Sequence, residues 1–177
     1  TCCRDGYRNN TKGAWRWPRL LSSALVPRPF FLNDGSFMST DDVARTKPLG
    51  TAQFGLDYGI ANSTGKVDFA AVARILARAR EAGVDTLDTA IAYGDSEARL
   101  GRVGVAGWRV ITKLPALPAD VVDVAGWVET SVVGSLRRLG LTSVDAVLLH
   151  RSGDLLGERG EALARALDGL AAAGMAT

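Results

Sequence analysis

The chain has 177 residues, of which 47% are hydrophobic and 23% are charged, and its formal net charge is +2. This composition is typical of a globular domain, because disordered chains are poorer in apolar residues. No apolar run approaches the roughly 20 residues that a membrane-spanning helix needs, so we predict no membrane partner.

Residues 1–37 differ from the rest of the chain in charge. They hold six Lys/Arg and two Asp/Glu, a net charge of +4, whereas the remainder holds fifteen and seventeen, a net charge of −2. The body therefore gives no sign of a nucleic-acid partner. Both cysteines, Cys2 and Cys3, also lie in this segment. A body without cysteine excludes a disulfide framework and favours a cytoplasmic protein.

Three interpretations of residues 1–37 are open. The apolar run 20–26 is at the lower limit for the core of a signal peptide, and no small-residue cleavage site follows it. The turn signal NDG at 33–35 is compatible with a hairpin, but its flanks do not alternate. We favour the third interpretation, in which Met38 is the natural start. Residues 1–37 are then a disordered or non-native N-terminal extension of the domain at 38–177.

From Pro48 onward the sequence repeats a short apolar strand, a loop and an amphipathic helix. A minimal first strand at 49–51 precedes a loop that is dense in Gly and Asn. Asp68 is expected to cap the first helix, and Gly83 to follow its end. The face of this helix that should point inward carries Val72, Ile75, Leu76 and Ala79.

The second and third strands are predicted at 84–88 and 109–113. Between them lies a short helix, which Asp95 or Ser96 is expected to cap and which should end near Gly101. The apolar strand segments separated by helix-like patterns are typical of βαβ units.

The fourth strand is predicted at 144–149, directly before His150. The helices on either side of it each show an apolar face and a glycine after the last turn, Gly140 and Gly174. The inward-facing residues of these helices are Val128, Val132, Leu136 and Leu139 in the third helix, and Leu163, Ala166, Leu167 and Leu170 in the fourth.

Four strand–helix units in series predict an α/β fold with parallel strands and outer helices. A doubly wound open sheet and part of a (βα)8 TIM barrel both fit this pattern. A dinucleotide-binding doubly wound sheet would carry G-x-G-x-x-G after its first strand. The segment GTAQFG at 50–55 has the wrong spacing and no predicted helix after it. We therefore predict a partial TIM barrel of about four βα units.

Four polar residues stand at or just after predicted strand ends: Asp88, Tyr93, Lys113 and His150, the only histidine of the chain. Each has a structural explanation on its own, such as a loop carboxylate, a rim aromatic, a solvated charge or a satisfied core histidine. In a barrel, however, the carboxyl ends of the strands meet at the active-site face. A lysine after apolar residues also needs a carboxylate partner, which Asp88 can supply.

Such a cluster suits the protonation of a carbonyl oxygen. A lysine ammonium beside a tyrosine favours the phenolate and makes the phenol a better acid. A neighbouring imidazole can bind and orient a substrate oxygen. The metal-dependent barrel hydrolases and lyases are disfavoured, because the chain has one histidine and no carboxylate cluster at the strand ends, so we predict no metal.

These segments resemble the aldo-keto reductase family. LDTAIAYGDSE is similar to the family segment that carries a catalytic Asp and Tyr, here Asp88 and Tyr93. VITKL resembles the family strand that carries the catalytic lysine, here Lys113. SLRRLGLTSVDAVLLH resembles the family segment that ends on the catalytic histidine, here His150. GTAQFGLDYGIAN is similar to the opening of a bacterial branch of the family, and the resemblance covers about residues 48–177.

The resemblance implies a (βα)8 barrel that reduces an aldehyde or ketone with NADPH, with NADH as the alternative. Tyr93 would give the proton, Lys113 and Asp88 would tune it, and His150 would orient the small-molecule carbonyl substrate. Residues of the first strand and its loop, together with Asp88, would approach the cofactor: Gly50, Thr51 and Ala52. A non-catalytic, nucleotide-sensing subunit of the same family is the alternative function.

A complete barrel needs about 250 residues, and this body is near half that length. The chain is therefore interpreted as a truncated reductase fragment that lacks strands 5 to 8, where the phosphate site of such barrels generally lies. Open strand edges and an uncovered inner face favour self-association. We expect weak activity or none from the 177-residue chain alone.

Overall fold

Four parallel strands form the sheet of the structure, a computed structural model that describes residues 48–60 and 62–177. The predictions made for residues 1–37 fall outside the described residues. The strands are β1 (Leu49–Gly50), β2 (Thr86–Asp88), β3 (Arg109–Leu114) and β4 (Ala146–Leu149).

The order of the strands across the sheet, β1-β2-β3-β4, follows their order in the chain. A doubly wound sheet reverses its order at a switch point, which is where its ligands bind. The described strands contain no such reversal. Of the two predicted architectures, the structure therefore favours the barrel.

Five α-helices connect or follow the strands within the described ranges, and a 3-10 helix lies after β4. Asp68 caps the second α-helix as predicted, because its side chain accepts a hydrogen bond of 2.8 Å from the Ala71 N–H. The elements are α1 (Ala52–Gly55), α2 (Phe69–Glu81), α3 (Ser96–Val103), α4 (Val124–Leu139), the 3-10 helix (Ser152–Leu156) and α5 (Gly160–Ala172).

Helix α3 differs from the prediction at its carboxyl end. It continues through Gly101 and ends before Gly104, which has a φ of 91°. Gly101 has another use, because a Cβ atom there would lie 2.1 Å from the carbonyl oxygen of Arg138. The glycine therefore allows α3 to approach α4 closely. Helix α1 and the 3-10 helix are too short to show a periodic pattern and were not predicted.

The hydrophobic core lies between the sheet and the helices. In β3 the residues Val110, Thr112 and Leu114 are fully buried on the helix side, whereas Ile111 and Lys113 on the opposite face are partly exposed. This opposite face would be the interior of a closed barrel. Every inward position predicted for the third helix is buried: Val128, Val132, Leu136 and Leu139.

The last residues add one bridge beyond the four predicted strands. Ala176 forms an isolated parallel bridge with Val144, and the Val144 N–H donates a 3.1 Å hydrogen bond to the Met175 carbonyl. The sequence pattern had placed nothing after the fourth helix. The segment that leads into β4 therefore pairs on the side away from β3, in the position where a fifth barrel strand would start. No helix in the described ranges is both long and apolar enough to span a bilayer.

Candidate active site

The carboxyl ends of the four strands lie at one edge of the sheet, and the predicted site residues follow them. Gly50 and Asp88 are the last residues of β1 and β2, Lys113 is the penultimate residue of β3, and His150 comes directly after β4. The parallel pairing of neighbouring strands brings these positions together.

Lys113 makes an ion pair with Asp88 across the gap between β3 and β2. Its ammonium also donates a 3.0 Å hydrogen bond to the Thr89 carbonyl. The side chain of Lys113 is only 16% exposed and that of Asp88 is 34% exposed. Withdrawing an ammonium group from water is costly unless the group is paired and hydrogen-bonded, and this site provides both partners.

Tyr93 is presented by a tight turn between β2 and α3. Its carbonyl accepts a 3.0 Å hydrogen bond from the Ser96 N–H, and Gly94 has a φ of 56°, a conformation that favours glycine. The half-buried ring lies with its centroid 5.2 Å from the Lys113 Nζ atom. This is the distance of a cation–π contact, so the ammonium and the phenol ring share one environment.

His150 completes the cluster from the far side. The His150 N–H donates a 2.9 Å hydrogen bond to the Leu114 carbonyl, which extends the pairing of β3 and β4 by one residue. The imidazole meets the Tyr93 ring edge to face, with centroids 5.7 Å apart and an interplanar angle of 86°. The structure therefore brings together all four side chains that the sequence singled out, in the spatial order Asp88, Lys113, Tyr93 and His150.

Of the four residues predicted to approach a cofactor, the three from the first strand and its loop lie in different environments. Gly50 is exposed, and nothing lies within 4 Å of the position of a Cβ atom there, which leaves room for a ligand at the strand end. Thr51 is fully buried, and both its N–H and its hydroxyl donate 3.0 Å hydrogen bonds to the Asp88 carbonyl. Ala52 is half-buried at the start of α1. The backbone and the side chain of Thr51 therefore both hold the backbone of Asp88 in place.

Gly55 makes a close backbone contact that the sequence does not reveal. A Cβ atom at Gly55 would lie 1.8 Å from the carbonyl oxygen of Tyr93 and 2.6 Å from the backbone nitrogen of Ser96. The turn that holds Tyr93 therefore rests directly on the end of α1. The glycine itself was visible in the sequence, but its partner lies 38 residues further along the chain, so no local pattern could identify the contact.

The predicted capping role of Asp95 or Ser96 was wrong. Asp95 occupies the N-cap position of α3 but makes no side-chain capping hydrogen bond. Its carboxylate instead pairs with Arg99 at 2.8 Å and with Lys66 at 3.2 Å. The hydrogen bond from Arg99, reinforced by Lys66, lowers the pKa of Asp95 although partial burial opposes this. Ser96 points inward and is fully buried.

A readable signal did exist for the burial of Ser96 and Glu97. Both residues are spaced from Leu100 as neighbours on one helix face, and Leu100 is in the core. The polar character of Ser96 and Glu97 suggested instead that they are exposed.

The described ranges contain no group of three or more His, Cys, Asp or Glu side chains that could hold a metal ion.

Known proteins share sequence and fold with this chain. A model described as the Aldo/keto reductase family matches residues 48–176. Two solved structures from Pseudomonas aeruginosa, both assigned as aldo-keto reductases, are 34% and 32% identical to the chain, each with a TM-score of 0.60. They align with 73% of this chain and with 52% and 51% of their own. The search of curated proteins finds no match.

A third solved structure shows likeness of fold alone. It is the holo form of an aldo-keto reductase from Bacillus halodurans, which is 20% identical, with a TM-score of 0.56 over 73% of this chain and 43% of that one. The chain spans about half the length of the solved relatives. These likenesses confirm the predicted α/β fold as part of a TIM barrel.

Proposed function

Because the chain belongs to the aldo/keto reductase family, we propose that it supplies the catalytic half of an NADPH-dependent oxidoreductase that reduces an aldehyde or ketone to an alcohol. The observation that carries the proposal is the convergence of Asp88, Tyr93, Lys113 and His150 at the carboxyl edge of the sheet. Membership of the family supports an oxidoreductase in general, and the cluster supports this specific chemistry.

The proposed roles follow from the contacts of each side chain. Asp88 and the Thr89 carbonyl hold the Lys113 ammonium in place. That ammonium favours negative charge on the phenol oxygen of Tyr93, which is what proton donation from the phenol creates. The imidazole of His150 contacts the Tyr93 ring, and His150 is an exposed residue, so the imidazole can bind the carbonyl oxygen of the substrate and orient it.

The reaction balances with one cofactor and one proton. When bound, the reduced nicotinamide supplies the hydride that forms the new C–H bond at the carbonyl carbon. The carbonyl π electrons move to oxygen, which takes the proton of Tyr93, and the phenolate is reprotonated from solvent. The products are an alcohol and the oxidised nucleotide.

Residues at the first two strand ends fit a role in holding the cofactor. Gly50 offers open space, and the partly exposed Asp88 carboxylate shares its edge of the sheet. We assign Gly50, Ala52 and Asp88 to contact with the nucleotide, and Thr51 to support of Asp88 through its buried hydrogen bonds. NADPH is proposed over NADH on the family resemblance, and a cytoplasmic location on the absence of cysteine from the body.

We propose the activity of a whole reductase only for the product of the complete reading frame that contains this sequence. The relatives are about twice as long as the matched segment, and barrel phosphate sites generally lie after the last strands. We therefore expect the 177-residue chain alone to show weak turnover or none.

The direct test is an assay of that product with NADPH or NADH and a panel of aldehydes and ketones. We expect nucleotide oxidation that depends on the carbonyl compound and yields the alcohol in equal amount. Nucleotide binding without turnover of any compound would instead favour the alternative, a nucleotide-sensing subunit.

A further inference from the structure

The first turn of α3 carries two adjacent buried polar side chains, Ser96 and Glu97, directly after the turn that presents Tyr93. Their relative exposures are 0% and 1%. The reaction proposed above uses neither of them. A carboxylate without water must be paired and hydrogen-bonded, so the partners of Glu97 show what the residue is placed to hold.

Ser96 connects the turn to the ends of β1 and β2. Its hydroxyl oxygen lies 2.9 Å from the Thr51 carbonyl oxygen, 3.1 Å from the Thr51 hydroxyl and 3.3 Å from the Thr89 hydroxyl. Thr51 directly follows Gly50, and Thr89 directly follows Asp88. One small side chain thus touches the residues next to two positions of the candidate site.

Glu97 connects the same turn to β3 and α4. One carboxylate oxygen accepts a 2.6 Å hydrogen bond from the Thr112 hydroxyl, and the other accepts a 2.8 Å hydrogen bond from the Arg138 guanidinium. Arg138 also donates a 3.2 Å hydrogen bond to the Ser135 hydroxyl. Thr112 directly precedes Lys113, so this network fixes α3 against the backbone that carries the lysine.

These hydrogen bonds can affect the position of Tyr93 because Ser96 and Glu97 follow it by only three and four residues. The Ser96 N–H is itself bonded to the Tyr93 carbonyl at 3.0 Å. A shift of Ser96 or Glu97 would therefore move the turn, and with it the distances from the Tyr93 ring to Lys113 and His150. Small misplacements of a reacting group are costly, because a displacement of about 1 Å can reduce a rate by about 10²-fold.

We propose that Ser96 and Glu97 are positioning residues, which hold the Tyr93 ring beside Lys113 and His150. The inference rests on the proposed function, in which Tyr93 is the proton donor. The Glu97–Arg138 ion pair, in which the carboxylate is buried and the arginine side chain is 39% exposed, is a poor source of stability. Proteins in which apolar side chains of similar volume replace a buried charge pair often fold as well or better. What the pair provides is one fixed location for the turn.

Nuclear magnetic resonance of the 177-residue chain, at a concentration where light scattering shows it to be monomeric, tests this placement without any need for activity. His150 is the only histidine, so its ring signals are unique, and their nuclear Overhauser contact with the Tyr93 ring reports the edge-to-face packing. The combined variant Glu97→Leu, Thr112→Val, Ser135→Ala and Arg138→Met removes the polar network and leaves none of its polar partners stranded. We expect it to fold and to lose the contact between the two rings.

Two further variants make the result decisive. Val132→Ala, in the core of α4 away from the site, lowers stability by a core truncation and should keep the contact. Ser96→Ala should weaken the contact between the His150 and Tyr93 rings. If the combined variant does not fold, this variant alone tests the inference. Retention of the ring contact in every folded variant that lacks Ser96 or the Glu97 network would overturn the inference.

Steady-state kinetics of the product of the complete reading frame provide a second test of the inference. The same Ser96 and Glu97 variants should lower kcat by up to about 10²-fold with unchanged affinity for the nucleotide, whereas Val132→Ala should leave kcat unaltered. Absence of activity in the unmodified protein would count against the proposed function. The ring contact would still decide whether Ser96 and Glu97 hold Tyr93.

Discussion

Lys113 and Asp88 form an ion pair although they are not opposite each other in the sheet. The register partner of Asp88 is Ile111, two residues before Lys113, and Lys113 itself pairs with Leu148. Ile111 and Lys113 lie on the same face of β3, so the lysine is one pleat nearer the sheet edge and its chain reaches back to the carboxylate. A shift of β3 by one residue would turn Lys113 into the helix layer.

This ion pair predicts a measurable coupling between the two residues. In a double-mutant cycle of Lys113→Met and Asp88→Asn, we expect a coupling free energy of about 1–2 kcal/mol, because the Lys113 side chain is only 16% exposed. The measurement is urea unfolding of the four proteins. The matched control is the exposed pair Lys66–Asp95, for which we expect about 0.5 kcal/mol or less. Equal couplings for the two pairs would contradict the account.

Gly55 allows the close contact under the Tyr93 turn, so Gly55→Ala should destabilise the protein. A Cβ atom 1.8 Å from the Tyr93 carbonyl oxygen forces the backbone apart, and we expect a loss of about 3 kcal/mol or more in the free energy of unfolding. The control is Gly169→Ala in α5, where nothing lies within 4 Å of the added atom, and where we expect a gain of about 0.5–1 kcal/mol. A tolerated Gly55→Ala would show that the contact is not needed.

Asp154 should make stability depend on pH in the acid range. The hydrogen bond from the Leu117 N–H, together with the one from Arg151, lowers the pKa of Asp154. A lowered pKa stabilises the folded state at pH values above about 3.9, which is the pKa of an aspartate in the unfolded chain. This stabilisation is lost as the pH falls through the pKa of Asp154 in the folded state. Asp154→Asn should therefore lower Tm at neutral pH, and the difference from wild type should vanish in acid. A difference that stays constant with pH would contradict this assignment.

Self-association of the 177-residue chain is expected through its inner sheet face. Leu148 is 41% exposed there, beside the partly exposed Ile111 and Ala146. Light scattering should show association that Leu148→Asn reduces. The control is Leu156→Asn, since Leu156 is 92% exposed on the 3-10 helix outside that face. Equal effects of the two substitutions would show that general surface hydrophobicity, and not this face, drives association.

Strand order and the strand-end cluster could be predicted from the sequence because both depend on local patterns. Apolar runs that end in Asp88, Lys113 and His150 identify strand ends, and consecutive parallel strands place such ends at one edge. The helix faces could be read in the same way, since burial at Val128 and Val132 follows the helical period.

The supports of the site could not be predicted because their partners are distant in sequence. Ser96 and Glu97 follow a turn and look like capping residues. Their spacing from Leu100 indicates the buried face of the helix, but only the packing of α3 against β3 and α4 shows the partners of Glu97. Gly101 had the appearance of a helix end, but the contact that needs a glycine is the carbonyl of Arg138 in another helix. In each case tertiary packing overrode a local preference.

We propose that Tyr93 gives the proton in carbonyl reduction, and a comparison of three proteins tests this role directly. Wild type, Tyr93→Phe and Tyr58→Phe of the complete reading-frame product are compared for nucleotide affinity and for kcat with an aldehyde. Tyr58 is the control, since it is 61% exposed in the loop after α1. We predict that Tyr93→Phe lowers kcat by about 10²–10⁴-fold with unchanged nucleotide affinity, and that Tyr58→Phe has no effect on kcat. An unchanged kcat in Tyr93→Phe would contradict the account.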